Sequence, residues 1–248
     1  MAADRRMRLW TLVAEHAQGA PVAVGDVCRV VMSAVGVDGA AVTVVLDAGQ
    51  RETVYASDAL ASELAELELT LGVGPGVDAT AGGGAVLLAD LTAQQGMARW
   101  PGFAPAAVSA GARAVFALPL QVGAIRVGVM ELYRVRPGGL DGERLADALV
   151  LADAACALVL DGVRPGPPRL DGSGPEPVRL AHPEVHQATG MITVQLGVTA
   201  AVALIRLRAY AYAHERRLRD VAGDVVARRL RFDPEPTADD GDGVRSGG

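Results

Sequence analysis

The chain has 248 residues, half of them hydrophobic, and a formal net charge of −6. This is enough apolar material for one large buried core or two smaller ones. No apolar run reaches the roughly 18 residues that a transmembrane helix requires. The Arg-rich start also lacks the apolar run and cleavage site of a signal peptide. We therefore expect a cytoplasmic protein with no membrane partner.

Lysine is absent from the chain, and all 23 positive side chains are arginine. This excludes a P-loop lysine, a kinase-type strand lysine and a Schiff-base lysine. The high content of Ala, Val, Gly and Arg favours high-GC coding as the explanation. The two cysteines, Cys28 and Cys156, give no disulfide or zinc framework and fit a reducing compartment.

The charge is unevenly distributed along the chain. Residues 1–176 carry 13 Arg against 20 acidic residues, whereas residues 177–232 carry 9 Arg against 4, and residues 233–248 carry 1 Arg against 5. A compact basic segment inside an acidic chain is typical of a module that binds a polyanion. The alternative is that these arginines only keep a short helical domain soluble.

Hydrophobic periodicity predicts an α+β domain over residues 5–160, with a mixed sheet of about five strands flanked by helices. On the first helix, Met7, Trp10 and Val13 fall on one face, and Ser57 is the expected N-cap of the third. The predicted elements, in chain order, are helices at 5–17 and 24–35, strands at 40–46 and 53–56, a helix at 58–67, a Gly-rich loop at 72–84, a strand at 85–89, a short helix ending before Gly111, strands at 113–120 and 125–135, and a helix at 141–160.

The last of these helices has an apolar seam at alternating steps of four and three, formed by Leu145, Leu149, Ala152, Cys156 and Val159. Such spacing is typical of a helix that pairs with a copy of itself, which predicts a homodimer. The seam is short, and the alternative is that the helix packs on its own sheet.

Residues 161–180 are rich in Pro and Gly and are predicted to be a linker. Residues 181–232 then show three short amphipathic helices, the second of them capped by Thr199, which together predict a small all-α bundle. Residues 233–248 form an acidic tail that we expect to be disordered.

The three-helix segment resembles the ANTAR family of RNA-binding antiterminator domains over residues 184–230. The matching text is VHQATGMI from Val185, QLGVT from Gln195, LRAYA from Leu207 and RRLRDVA from Arg216, without gaps in the family's spacing. This chain departs from the family pattern at Thr189, where lysine is usual, and at Glu215, where asparagine is usual. The resemblance implies a domain that binds hairpin loops in nascent transcripts and prevents a terminator from forming.

Arginine can contact phosphate with two parallel hydrogen bonds and can stack on unpaired bases. Arg216, Arg217 and Arg219 cluster where the third helix begins, and the positive end of that helix dipole also attracts phosphate. Small residues on the first helix would allow RNA or another helix to approach closely. The candidate RNA-binding residues are Ala188, Gly190, Arg208, Arg216, Arg217 and Arg219.

Residues 8–160 resemble a GAF domain. The matching text includes LGVGPG from Leu71, GARAVFALPL from Gly111 and GVMELY from Gly128. The resemblance implies a pocket on one sheet face that binds a small molecule, whose identity the sequence does not give. Related domains often have cysteine at the position of Gly76, so its absence argues against a thiol-based role there.

The enzyme motifs that can be traced in the chain are incomplete. The G-x-G rhythm at 72–76 follows a helix rather than the strand that a dinucleotide site needs. His182 and His186 stand four apart but lack a third metal ligand at a useful spacing. No Ser-His-Asp grouping or paired-carboxylate motif is evident. We expect no catalytic residue, no metal and no cofactor.

These observations favour a signal-responsive RNA-binding regulator of transcription antitermination that is not an enzyme. In the alternative hypothesis, the helical domain binds a protein partner. An enzyme on the GAF fold, such as a small-molecule reductase, has no support in the sequence. Because the linker interrupts any rigid helix, we expect a ligand to act by changing domain association or dimerisation.

Overall fold

The computed structural model describes residues 2–46, 50–163 and 182–233. Most of the predicted linker and all but the first residue of the predicted acidic tail lie outside these ranges, as do residues 47–49 between the first two predicted strands. The boundaries of the four predicted segments therefore stay predictions.

The N-terminal unit is built on a five-stranded sheet with helices on both faces. Its elements are α1 (Ala2–Ala17), α2 (Val24–Val35), β1 (Gly39–Val45), β2 (Arg51–Ala56), α3 (Ala59–Leu71), α4 (Pro75–Gly82), β3 (Val86–Leu88), α5 (Gln94–Arg99), α6 (Phe103–Ala110), β4 (Ala114–Val122), β5 (Ile125–Arg134) and α7 (Gly142–Val163).

The strand order is β2-β1-β5-β4-β3, and every pairing is antiparallel. The α+β class is thus confirmed, whereas the expected mixed pairing is wrong. A parallel pair requires a crossover that returns the chain beside the strand it left. Here the helical connection between β2 and β3 leads from one edge of the sheet to the other, so these strands are not neighbours.

The sheet separates two apolar cores. Side chains of α1, α2 and α7 pack on one face against Val42, Phe116 and Leu118. Side chains of α3 and α6 pack on the other face, with Phe103 as the largest fully buried member. Because both faces are covered, β1 is buried along nearly its whole length, which explains its continuous apolar run.

Three local expectations were wrong. On α1, Val13 of the predicted face is fully buried, but Met7 is 71% exposed and Leu9 takes its place in the core. Asp58 rather than Ser57 caps α3, with its Oδ1 accepting the Ala61 N–H at 2.9 Å. The Gly-rich loop contains α4, because Pro75 at its first position is already set to a helical φ.

The seam of α7 packs largely within its own domain. Ala152, Cys156 and Val159 are at most 3% exposed and belong to the core shared with α2 and the sheet, whereas Leu149 is 43% exposed. These three residues therefore contribute to folding rather than to a helix pair between copies. The homodimer stays a prediction.

The C-terminal unit consists of α8 (Pro183–Leu196), α9 (Ala200–Ala213) and α10 (Leu218–Val226). Thr199 caps α9 by accepting the Val202 N–H at 3.4 Å, as the sequence predicts. Gly197 ends α8 with φ +65°, a conformation that glycine adopts without strain. The three helices enclose a small core whose fully buried members include Ile192, Leu207 and Leu218.

The C-terminal unit packs on the last turn of α3. Leu69 of α3 is 5% exposed and lies in the core of the helical bundle. Its carbonyl oxygen accepts a hydrogen bond from Arg208 Nε at 2.9 Å. The next residue, Thr70, accepts the Leu218 N–H at the start of α10, at 3.3 Å. The end of α3 thus contacts both α9 and α10.

Two histidines form a second set of contacts between the units. The His182 N–H donates to Glu52 Oε1 at 2.6 Å, and the His182 ring lies 3.2 Å from Glu66 Oε2. The His186 ring contacts Gln50 and lies 3.3 Å from Glu52 Oε2. Since Glu52 is fully buried, these polar partners compensate for its lost hydration.

Among the described residues, no single helix has the length and hydropathy needed to cross a membrane. The pair α8 and α9 passes that test only when taken together, and the two helices are bent by 106° at their junction.

The buried carboxyl of Glu68 on α3 holds the start of α4 in place. Glu68 Oε1 accepts the Gly76 N–H at 2.8 Å, and Glu68 Oε2 accepts the Val77 N–H at 3.1 Å. Burial and the neighbouring Glu131 raise the pKa of Glu68 well above its ordinary 4.5, against the opposing effect of Arg51. A Cβ on Gly76 would lie 2.6 Å from Glu131 Oε1, which leaves no room for a side chain.

Replacing Glu68 by Gln is expected to flatten the pH dependence of stability. The pKa of Glu68 is raised in the folded state. Its contribution to the free energy of unfolding is therefore fully present below the ordinary pKa and is lost as the pH rises through the pKa of the folded state. The neutral amide cannot ionise. The melting temperature of Glu68→Gln relative to wild type should therefore rise as the pH increases from about 5 to about 8.

The matched control for this experiment is Glu63→Gln, an exposed carboxyl on the same helix. It should melt in parallel with wild type across the pH range. A Glu68→Gln profile that also runs parallel to wild type would contradict the role assigned to the buried Glu68 carboxyl.

Truncation of Leu69 is expected to loosen the contact between the units. Removing a buried leucine side chain costs roughly 2–5 kcal/mol, and here part of the lost packing belongs to α9 and α10. Hydrogen exchange in residues 200–226 should be faster in Leu69→Ala than in wild type. Leu87→Ala, at a 43% exposed position on β3, is the control and should leave this exchange unchanged. Equal exchange in both variants would show that Leu69 does not hold the units together.

Candidate functional site

The start of α10 concentrates positive charge at the surface. Arg216 and Arg217 directly precede the helix, and Arg219 lies in its first turn. Arg217 is the N-cap residue and gives no side-chain cap to the helix. The guanidinium groups and the positive end of the helix dipole together make this end of the helix attractive to an anion.

These arginines differ in their local partners. Arg216 donates to Asp224 at 2.7 Å, and this hydrogen bond raises the pKa of Arg216 and lowers that of Asp224. Arg219 Nε lies 3.8 Å from the adjacent Asp220, which is a loose contact. The Asp224 contact fixes the direction of Arg216 while leaving it 39% exposed.

Arg208 has a different position. Its Nε donates to the Leu69 carbonyl oxygen of α3, and burial, together with the charge of Arg51, lowers its pKa to about 10. The guanidinium thus remains charged at neutral pH while much of its surface is taken up by the contact between the units. The end of the α3 dipole, which carries partial negative charge, faces this cation.

The remaining two candidates lie apart from the arginines. Ala188 is fully buried in the bundle core, and Gly190 is exposed, with open space around the position of an added Cβ. Of the six predicted residues, the structure brings together Arg216, Arg217 and Arg219 along one cleft and places Arg208 on the cleft beside it.

Both positions that depart from the family pattern are defined in the structure. Thr189 is fully buried and donates its hydroxyl to the Val185 carbonyl at 2.7 Å. A lysine in this position would have to extend out of the core. Glu215 is exposed with φ +51° and lines the same cleft as Arg216 and Arg217.

Two clefts lie between the helical bundle and α3, beside the contact of the two units, and have volumes of about 640 and 490 Å³. Tyr212, Thr70, Leu71 and Gly102 line both of them. The larger cleft has Arg216, Arg217 and Arg219 on one side and Glu63 and Glu66 of α3 on the other. Sequence reasoning did not find Tyr212 or the α3 wall, because the packing of two units on each other leaves no local pattern in the sequence.

By contrast, the cavity on the α3 face of the sheet is nearly filled, with a volume of about 10 Å³. Leu64, Phe103, Phe116 and Tyr133 occupy this region with their own side chains. The Tyr133 hydroxyl donates a hydrogen bond to Asp58 at 2.8 Å. Burial and this hydrogen bond raise the pKa of Tyr133.

The environment of the two thiols disfavours reactivity. Cys28 and Cys156 are both buried, and burial raises the pKa of both thiols, that of Cys28 to about 12. Neutral buried thiols are poor nucleophiles. Within residues 2–46, 50–163 and 182–233, no group of three or more His, Cys, Asp or Glu side chains is placed to hold a metal ion.

Comparison with known proteins matched residues 180–226 to the family model of the ANTAR domain. A comparison with curated proteins found no match.

Several solved structures are similar to the N-terminal part. The GAF domain of a phosphoenolpyruvate-protein phosphotransferase from Coxiella burnetii is 15% identical, with 62% of this chain and 92% of that chain covered and a TM-score of 0.49. The GAF domain of the Acinetobacter phosphoenolpyruvate-protein phosphotransferase is 11% identical, with 64% and 93% covered and a TM-score of 0.46. Free methionine-R-sulfoxide reductase from Neisseria meningitidis is 18% identical, with 63% and 88% covered and a TM-score of 0.41.

The family match falls on the three helices whose text carries the resemblance, and the preceding unit has an antiparallel sheet between two layers of helices. The chain therefore has two parts, an N-terminal α+β domain, called GAF-like here after its sequence resemblance, and a three-helix domain that matches the ANTAR family model at residues 180–226 and is called the ANTAR domain below.

Proposed function

We propose that this protein is a signal-responsive regulator that binds hairpin RNA in nascent transcripts and thereby prevents transcription termination. The observation that carries the proposal is the ANTAR match at residues 180–226, in which the start of α10 presents three arginines along a cleft. Guanidinium groups bind phosphate and also stack on bases, so this surface suits RNA.

The GAF-like domain is proposed to sense a small molecule or another signal. Its sheet-face cavity is nearly closed in this arrangement, so a ligand there would have to displace side chains such as Phe103. That region borders α3, whose last turn contacts the ANTAR domain through Leu69 and Thr70. A ligand that favours one position of α3 would shift the association of the two domains.

The proposed function does not involve catalysis. Buried thiols with raised pKa values do not provide a reductase nucleophile in the described residues. We propose a cytoplasmic location, as expected for a protein that acts on nascent transcripts.

The alternative is that the ANTAR domain binds a protein partner. One observation favours it: the arginine surface already faces a protein helix, α3, across the cleft. An acidic partner could meet the same guanidinium groups, so a direct test on RNA is needed.

RNA binding by the full chain is expected to depend steeply on salt. Four or five arginine–phosphate contacts would give a log–log slope near −3 in a titration of hairpin RNA binding against salt. The double variant Arg216→Glu/Arg217→Glu should lose this binding, because two attractive charges at the start of α10 become repulsive.

The matched control, Arg228→Glu/Arg231→Glu, changes the net charge by the same amount after the end of α10. It should retain most of the affinity for hairpin RNA. No binding by wild type, or equal loss in both double variants, would contradict RNA recognition at the start of α10 and would favour the protein-partner alternative.

A further inference from the structure

The space between the two domains is large enough to hold part of a nucleic acid. The two clefts of about 640 and 490 Å³ share Tyr212 on their common border. Volumes of roughly 300–1,000 Å³ are typical of sites that enclose a small organic group. The sheet-face cavity of about 10 Å³ offers no comparable space.

Tyr212 has an aromatic ring that the fold leaves exposed. It lies on α9 and is 66% exposed, whereas Leu204 and Leu207 on the same helix are buried in the bundle core. Leu71 of α3 lines the same two clefts. An exposed aromatic ring beside cationic side chains is the arrangement on which unpaired bases stack.

The charged residues of the larger cleft are divided between its two walls. The ANTAR domain contributes Glu215 and three arginines, Arg216, Arg217 and Arg219, and the arginines suit phosphate oxygens, which accept hydrogen bonds. Glu63, on the α3 wall, suits the amino groups of a base, which donate them. Oε1 of Glu66 on the same helix is buried and has no hydrogen-bond partner among the described residues.

We infer that the cleft between the domains binds one unpaired nucleotide of the RNA loop. The base stacks on Tyr212, the neighbouring phosphates contact Arg216, Arg217 and Arg219, and α3 of the GAF-like domain forms the opposite wall. This inference rests on the proposed RNA-binding function and extends the RNA site beyond the ANTAR domain. Since a duplex has no unpaired base to insert, the cleft distinguishes a hairpin loop from its stem.

The test compares two RNAs of equal length and charge, one a hairpin with an unpaired loop and the other a fully paired duplex. Their dissociation constants for the full chain are measured by fluorescence anisotropy. Wild type should prefer the hairpin. Tyr212→Ala should lose about ten-fold or more of that preference, because a stacked base is lost while phosphate contacts remain.

Three further variants sharpen the result. Tyr212→Phe keeps the ring and should stay within about two-fold of wild type, since stacking does not need the hydroxyl. Glu63→Gln should weaken hairpin binding less than Tyr212→Ala does. Val202→Ala, on α9 but outside both clefts and 39% exposed, is the control and should match wild type. The salt slope should be the same in Tyr212→Ala as in wild type, because the number of phosphate contacts is unchanged.

The failure of this inference can be told apart from the failure of the proposed function. If wild type binds hairpin and duplex equally with a steep salt slope, RNA binding stands and the cleft assignment is overturned. An unchanged preference in Tyr212→Ala also overturns it. If wild type binds neither RNA, the proposed function fails, and the inference with it. A Tyr212-dependent affinity for free adenosine monophosphate, without any hairpin preference, would assign the cleft to a free nucleotide and overturn the RNA assignment.

Discussion

The arrangement of the molecule depends on the last turn of α3. A helix end leaves carbonyl groups without partners in the helix and carries partial negative charge. Here the Leu69 carbonyl is satisfied by Arg208, the Thr70 hydroxyl accepts the first amide of α10, and the Leu69 side chain completes the core of the ANTAR domain. One helix of the GAF-like domain thus supplies part of both the packing and the polar contacts of its neighbour.

This contact also determines where the arginines of α10 are displayed. They face a cleft whose other wall is α3, rather than an open surface. On the opposite side of α3, Glu68 accepts a hydrogen bond from the start of α4. Glu68 also interacts with Glu131 on strand β5 of the sheet. A change in the sheet-face region can therefore reach the cleft through a single helix. This gives the proposed signal a short physical route that does not pass through the linker.

Much of the fold could be predicted from local sequence patterns. The helix predicted at 24–35, the strand predicted at 40–46 and the Thr199 cap each leave a signal within a few residues, and the structure agrees with them. The mixed sheet was wrong because strand pairing is set by long-range connections that periodicity does not record. The start of α10 was found from its run of arginines. Tyr212 was missed because its exposure follows from the packing of α9 on α3, and Arg208 was placed with the other cations because a sequence does not show which arginine an interface buries.

We propose that α3 and the start of α10 act together as one RNA-binding surface. The most direct measurement is hydrogen exchange of the full wild-type chain with and without a loop-bearing hairpin RNA. We expect the hairpin to slow exchange both at the start of α10 and along residues 61–71 of α3, and a paired duplex of equal charge to do so much less. Slower exchange at α10 with no change in α3 would contradict it, because the ANTAR domain would then bind RNA without the GAF-like domain.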